Sequence, residues 1–148
     1  MPIDAKAIVR RLYQEVWNKR KLEVVNDLFS PSHALRDNNS PGSSVGPEAY
    51  KSQVAMFLAA FPDLHVTLED TVAEKDKLAA SWTVSGTHKG EFLGVRPTNK
   101  KVSIEGITIH YLANGKIIDS NTSWDALGLM RQLGVFPAVA QPKGVASR

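Results

Sequence analysis

The spacing of apolar residues changes once along the chain, and that change divides it. From Ala5 to Trp17, Ile8, Leu12 and Val16 recur at four-residue steps, with Val9, Tyr13 and Trp17 beside them. This is the stripe of an amphipathic helix, and Asp4 stands where an N-cap belongs. A shorter helix fits Leu22–Phe29, with Leu22, Val25, Leu28 and Phe29 on one side. The polar run "SPSHALRDNNSPGSSVGP" reads as loop, with room for a short extended segment near Ala34–Asp37. Pro47 suits the first turn of a third helix. Its apolar set is Tyr50, Val54, Phe57, Leu58 and Phe61, and Pro62 ends it by disfavouring helical geometry at Phe61.

After Pro62 the period becomes two. Leu64, Val66 and Leu68 alternate with His65, Thr67 and Glu69. In "LAASWTVSGTH", Leu78, Ala80, Trp82 and Val84 share one face of a strand. "KGEFLGVRPTNKK" is a loop punctuated by Gly and Pro. "VSIEGITIHYL" and "KIIDSNTSW" are the strands of a hairpin. Asp125 caps a last short helix, "ALGLMRQL", which Gly134 ends. Three helices, a meander of about four strands and a terminal helix describe an α+β domain. Residues 1–134 form this single domain, and residues 135–148 carry no period and are expected to be a loose tail.

Composition narrows the function classes. The 148 residues suit one core, and 43% are apolar. Cys is absent, which removes disulfides, thiolate metal sites and a Cys nucleophile. No segment reaches the roughly eighteen apolar residues of a membrane span, and the N-terminus lacks a signal-peptide apolar region. A cytoplasmic location is expected, with no membrane partner. The net charge is +3, and the densest basic cluster, "NKRK", fits a solvated helix end. No broad basic face with interleaved aromatics suggests nucleic acid. His33, His65, His88 and His110 lie on scattered segments without metal-ligand spacing, and no phosphate or dinucleotide glycine motif occurs. No metal or cofactor is expected.

Several motifs then point to one family. They are "FPD" at Phe61–Asp63, "GTHKGEFLG" at Gly86–Gly94, "PT" at Pro97–Thr98, "GKI", and the Asp125–Gly134 run "DALGLMRQLG". In order and spacing they resemble the SnoaL-like polyketide cyclases, or ester cyclases, of the nuclear transport factor 2-like superfamily. The resemblance implies a curved antiparallel sheet wrapped by three helices, with an internal and largely apolar pocket. It implies a homodimer or tetramer packed through the sheet. It implies aldol ring closure of an aromatic polyketide methyl ester by a carboxylate base, without metal or cofactor.

Carried onto this chain without gaps, the family's catalytic Asp falls on Thr122, its pocket His on Thr108 and a pocket amide on Gly106. A Thr hydroxyl forms hydrogen bonds but is no general base at neutral pH. Substitutes depend on the hairpin register. A two-residue turn at Asn114-Gly115 sets His110 opposite Asp119. A three-residue loop, Ala113–Gly115, sets Thr108 opposite Ser120, Gly106 opposite Thr122 and His110 opposite Ile118. The second is preferred, because it gathers the family's site positions on one face. The inward row is then Gly106, Thr108, His110, Ser120 and Thr122, with Ile118.

His110 is the first catalytic candidate, against a rim residue bonded to a neighbour. His88 is the second, placed at the pocket mouth, against a turn residue. Asp37 is the third, as a relocated base, with Arg36 beside it to hold a substrate oxygen; an exposed Arg–Asp pair is the alternative. Phe57, Phe61, Trp82 and Trp124 are expected to wall the pocket. The reading is a cofactor-free acid–base enzyme of cyclase, isomerase or lyase type, hydration or hydroxylation included, acting on an apolar polyketide-like ketone or ester. The alternative is a non-catalytic protein that holds a small apolar or polycyclic molecule.

Overall fold

The computed structural model describes residues 4–40 and 42–136. The first helix, α1, spans Ala5–Arg11, and the Asp4 carboxylate accepts from the Ala7 N–H at 3.1 Å. It continues as a π-helical segment, Leu12–Asn18, in which the Lys19 N–H reaches back to the Gln14 carbonyl at 3.0 Å. Such wide turns are rare and concentrate at functional sites. Here the segment carries Tyr13 and Trp17, which both reach the cavity described below.

The expected second helix is shorter and broken. A 3₁₀ turn at Leu22–Val24 leads into α2, Val25–Leu28, and Phe29 is already extended. Pro31 supplies the reason: it cannot donate into a helix, and it biases the preceding residue toward extended geometry. Strand β1 then covers Phe29–Asp37, and β2 covers Ser43–Val45. The polar run thus holds two strands where only a short extended segment was expected. Helix α3 spans Pro47–Ala60, with Pro at its start. Strands β3 (His65–Glu74), β4 (Lys77–Thr87), β5 (Lys101–Ala113) and β6 (Lys116–Trp124) follow, and α4 is Ala126–Gln132.

The fold is α+β, with a curved open sheet of six strands in the order β2-β1-β6-β5-β4-β3. The meander β3–β6 is antiparallel as expected, but β1 lies parallel to β6. That pairing joins residues far apart in sequence, so no local spacing announces it. It also sets Leu35 beside Ser120 and Asp37 beside Thr122.

The hairpin register differs from both expected ones. The turn has two residues, Asn114 and Gly115, both at positive φ, and Ala113 faces Lys116. Leu112 faces Ile117, and then the register slips so that Tyr111 faces Asp119. The slip leaves Ile118 as the extra residue of a β-bulge. Beyond it His110 faces Ser120, Thr108 faces Thr122 and Gly106 faces Trp124. The preferred three-residue loop is therefore wrong in its pairs. It shares the true register's parity, because a two-residue turn plus one bulge shifts the pairing by an even number. For that reason the same residues point inward. Ile118 is the exception: it lies on the outside, 38% exposed.

The core fills the space between the sheet's inner face and the helices. One cluster gathers Val9, Phe61, Leu78, Phe92 and Ile104, and another gathers Leu12, Val25, Phe29, Val54 and Ile117. Among the described residues no helix is long and apolar enough to cross a membrane. Residues 137–148, most of the expected tail, lie outside the described residues.

Candidate functional site

The inner face of the sheet is not closed by the core. It opens into a cavity between β1, β3–β6, the π-helical segment and α3. Much of the wall is apolar, with Phe57, Phe61, Leu64, Val66, Val102 and Ile104 among its residues. Its polar groups include Tyr13, Asp37, Tyr50, Gln53, Ser85, His110 with Thr108, and Ser120 with Thr122.

Asp37 ends β1. Its carboxylate accepts from the Trp124 indole N–H, at 2.9 Å to Oδ2 and 3.1 Å to Oδ1, and from the Asn39 N–H at 2.8 Å. These bonds orient it beside Thr122, its register partner on β6. Across the hairpin the Thr122 and Thr108 hydroxyls are hydrogen-bonded to each other, and Thr108 accepts from the Trp82 indole at 3.0 Å. The two positions onto which the resemblance carries a catalytic Asp and His therefore hold mutually bonded hydroxyls. The carboxylate in this part of the cavity belongs to Asp37, one strand over.

His110 is buried. Its Nε2 meets the Tyr13 hydroxyl at 3.1 Å and its Nδ1 meets Ser120 Oγ at 2.9 Å. Burial depresses its pKa to about 3, and His33 adds to the effect. A buried imidazole in hydrogen-bond contact on both sides is neutral at physiological pH. Ser120 Oγ also lies 2.9 Å from Nε2 of His33, a second buried imidazole, whose pKa burial lowers to about 4 against the charge of Asp119.

The remaining expected residues divide. Phe57, Phe61, Trp82, Thr108, Ser120, Thr122 and Trp124 line the cavity. Gly106 does so only indirectly, since the Trp82 ring occupies the space that a Cβ there would need. Arg36 does not reach the cavity. Strand alternation turns it outward, half exposed, onto Asp119 at 2.7 Å. His88 is also elsewhere. It is fully buried in the loop after β4, where Nδ1 accepts from the Thr98 N–H at 3.2 Å and the ring lies against Phe61. That contact ties Gly86–Gly94 to Pro97–Thr98, so two of the recognised motifs form one folded loop. The "FPD" motif has a similar role: Asp63 accepts from the Thr87 N–H and hydroxyl, both at 2.7 Å, and these bonds hold its pKa below the usual range.

Among the residues not singled out from sequence as site residues are Tyr13, Trp17, Tyr50 and Gln53, which line the cavity, and His33, which neighbours it. Tyr13 and Trp17 sit in a helical stripe that reads as core, and only their polar ends hint at more. His33 stands in a segment that reads as loop.

Comparison with known proteins agrees with this arrangement. The family model described as SnoaL-like polyketide cyclase matches residues 7–133. Aklanonic acid methyl ester cyclase AcmA of Streptomyces galilaeus is 32% identical over 130 residues, covering 86% of this chain and 89% of the relative. A solved structure from Jannaschia sp. CCS1, assigned to the SnoaL-like polyketide cyclases, superposes with a TM-score of 0.83 at 26% identity, covering 93% of this chain and 97% of that one. AclR of Streptomyces galilaeus, for which a hydroxylase activity has been suggested, gives 0.81 at 28% identity, covering 93% and 84%. A match across nearly all of the described residues, with solved structures of the same fold, decides the assignment: the chain belongs to the SnoaL-like polyketide cyclase family.

Proposed function

We propose that this protein is a cofactor-independent acid–base enzyme that closes a ring in, or otherwise enolises, an apolar polyketide-like ketone or ester, with Asp37 as its base. The observation that carries this reading is the Asp37 carboxylate at the cavity wall, oriented by Trp124 and standing next to Thr122. The relatives' carboxylate is moved by one strand rather than lost. Asp37 removes a proton from a carbon between two carbonyl groups, and the conjugated enolate attacks a carbonyl of the same molecule. The alkoxide so formed is then protonated. The apolar wall keeps water from intercepting the enolate. AcmA's ester substrate supplies the nearest test compound.

The deciding experiment is solvent deuterium exchange into aklanonic acid methyl ester, followed by mass and by ring closure. Exchange is expected with the natural chain. It is expected to fall by roughly 10²–10⁴-fold in Asp37→Asn, the usual worth of a positioned base, with binding retained. Equal exchange in both proteins sinks Asp37 as the base.

A second reading has its own support. Thr108 and Thr122 are hydrogen-bonded to each other and neither hydroxyl is a general base at neutral pH, as suits a protein that holds such a ligand without converting it. Tight binding without exchange favours that reading.

A further inference from the structure

The base chemistry above leaves a buried polar chain unused. Tyr13 Oη, His110, Ser120 Oγ and His33 are linked in that order at 3.1, 2.9 and 2.9 Å. The four residues are 5%, 1%, 0% and 0% exposed. They come from the π-helical segment, β5, β6 and β1, so the chain crosses three neighbouring strands. Tyr13, His110 and Ser120 line the cavity, whereas His33 lies beyond it against Phe29, with ring centroids 4.2 Å apart. His33 Nδ1 is buried and has no hydrogen-bond partner among the described residues. A buried polar atom of this kind calls for a role.

A neutral imidazole offers one N–H and one lone pair, and a hydroxyl can donate once. Two arrangements therefore run in one direction throughout. In the first, Tyr13 donates to His110 Nε2, His110 Nδ1–H to Ser120, and Ser120 to His33 Nε2, which leaves N–H at His33 Nδ1. In the second every bond is reversed. His33 Nε2–H donates to Ser120, Ser120 to His110 Nδ1, and His110 Nε2–H to Tyr13, whose own hydrogen is then free for the cavity. Moving each proton one place converts one arrangement into the other, and no charge is left on the chain when one proton enters at one end and one leaves at the other.

We propose that Tyr13, His110, Ser120 and His33 are a proton relay for the reaction cavity, with Tyr13 touching the substrate oxygen and His33 exchanging protons with water. This rests on the acid–base reading above. Starting from the second arrangement, the alkoxide takes the Tyr13 proton, so the Tyr13 O–H bond breaks and the product O–H bond forms. The protons on His110 Nε2, Ser120 Oγ and His33 Nε2 each move one place toward Tyr13. Because His33 Nδ1 is buried, water reaches it through a local opening of the fold; that water gives Nδ1 a proton, and the hydroxide left behind is neutralised by the proton that Asp37 releases to solvent. When the product leaves and water enters the cavity, the protons run back. The relay removes a difficulty of Tyr13 acting alone. Burial, with Tyr50 adding, pushes its phenol above the ordinary range, so a phenolate left in place would be costly. His110 and His33 are catalytic only through Tyr13 and are positioning residues in that sense.

The first test needs no substrate. Long-range proton–nitrogen NMR of the imidazoles in the full chain at pH 7 reports tautomers. The relay requires His33 and His110 to be neutral and to share one tautomer, both Nε2–H or both Nδ1–H. Opposite tautomers place either two donors or two acceptors against Ser120, which breaks the direction and overturns the relay. The second test follows aklanonic acid methyl ester. In Tyr13→Phe and in His33→Gln, which keeps an amide N–H for Ser120 but cannot pass a proton, carbon exchange should stay near the natural level. Ring closure should fall by roughly 10²-fold and 10-fold or more, and the solvent isotope effect on closure should shrink to that of a single proton. Unchanged closure with retained exchange overturns the relay and leaves the base assignment standing. Absent exchange in the natural chain sinks both.

Discussion

Asp37 and Thr122 are register neighbours on two parallel strands, β1 and β6, and both face the cavity. This adjacency makes the base movable. Asp37→Asn should lose carbon exchange, and adding Thr122→Asp to that variant should restore much of it. The carboxylate would then stand on β6, at the position onto which the family resemblance carries a catalytic Asp. A double variant as inactive as Asp37→Asn would mean that the cavity orients substrate toward β1 alone.

The Trp124 indole holds the Asp37 carboxylate at 2.9 Å. Trp124→Phe keeps an aromatic wall but removes the donor, so the carboxylate loses its orientation. We expect kcat to fall about tenfold, the low end of what misaligned acid–base groups cost, while KM changes little. A fall in affinity with kcat unchanged would make Trp124 a binding wall only.

The Trp82 ring fills the space beside Gly106. Gly106→Ala therefore forces the indole aside and strains its bond to Thr108. Overpacking of this kind costs about 1–3 kcal/mol. Thermal unfolding and Trp fluorescence should both register it. A variant of unchanged stability and spectrum would show that Trp82 has room to move.

The buried histidines set an acid limit to stability. Ordinary imidazole titrates near 6.5, and burial lowers His110 to about 3 and His33 to about 4. The unfolded chain then binds more protons than the native one below pH 6.5. Their full contribution is present above pH 6.5 and is lost as pH falls toward 4 and then 3. The slope is about 1.4 kcal/mol per pH unit for each group. Denaturant unfolding at pH 7 and pH 5 should show this loss, and His110→Gln should flatten it. An equal slope in that variant would place the sensitivity elsewhere.

Arg36 points outward onto Asp119, and its side chain is 49% exposed. Arg36→Ala should leave ligand affinity and turnover as they were and cost at most about 1 kcal/mol. Weaker ligand binding would contradict the outward placement.

The sequence by itself determined a great deal. The four-residue stripe of Ala5–Trp17, the period-two strands from Leu64 onward and the caps at Asp4 and Asp125 are local features, and local features are written in neighbouring residues. The motifs from Phe61 to Gly134 were enough to identify the family. The inward set of Thr108, His110, Ser120 and Thr122 was also legible, because parity alone assigns a face. The exact pairs were not, since a bulge at Ile118 costs little and leaves no mark in composition.

Only the tertiary structure decided the rest. It paired β1 with β6 across some eighty residues of chain, which turned a polar stretch into a strand, set Asp37 beside Thr122 and placed His33 against Ser120. It also sent Arg36 outward and His88 into a folded loop. A side chain's spacing records which face it occupies, but its partner across the sheet depends on which strands meet. That is settled by burial and hydrogen bonding summed over the whole domain, and no short stretch of sequence contains it.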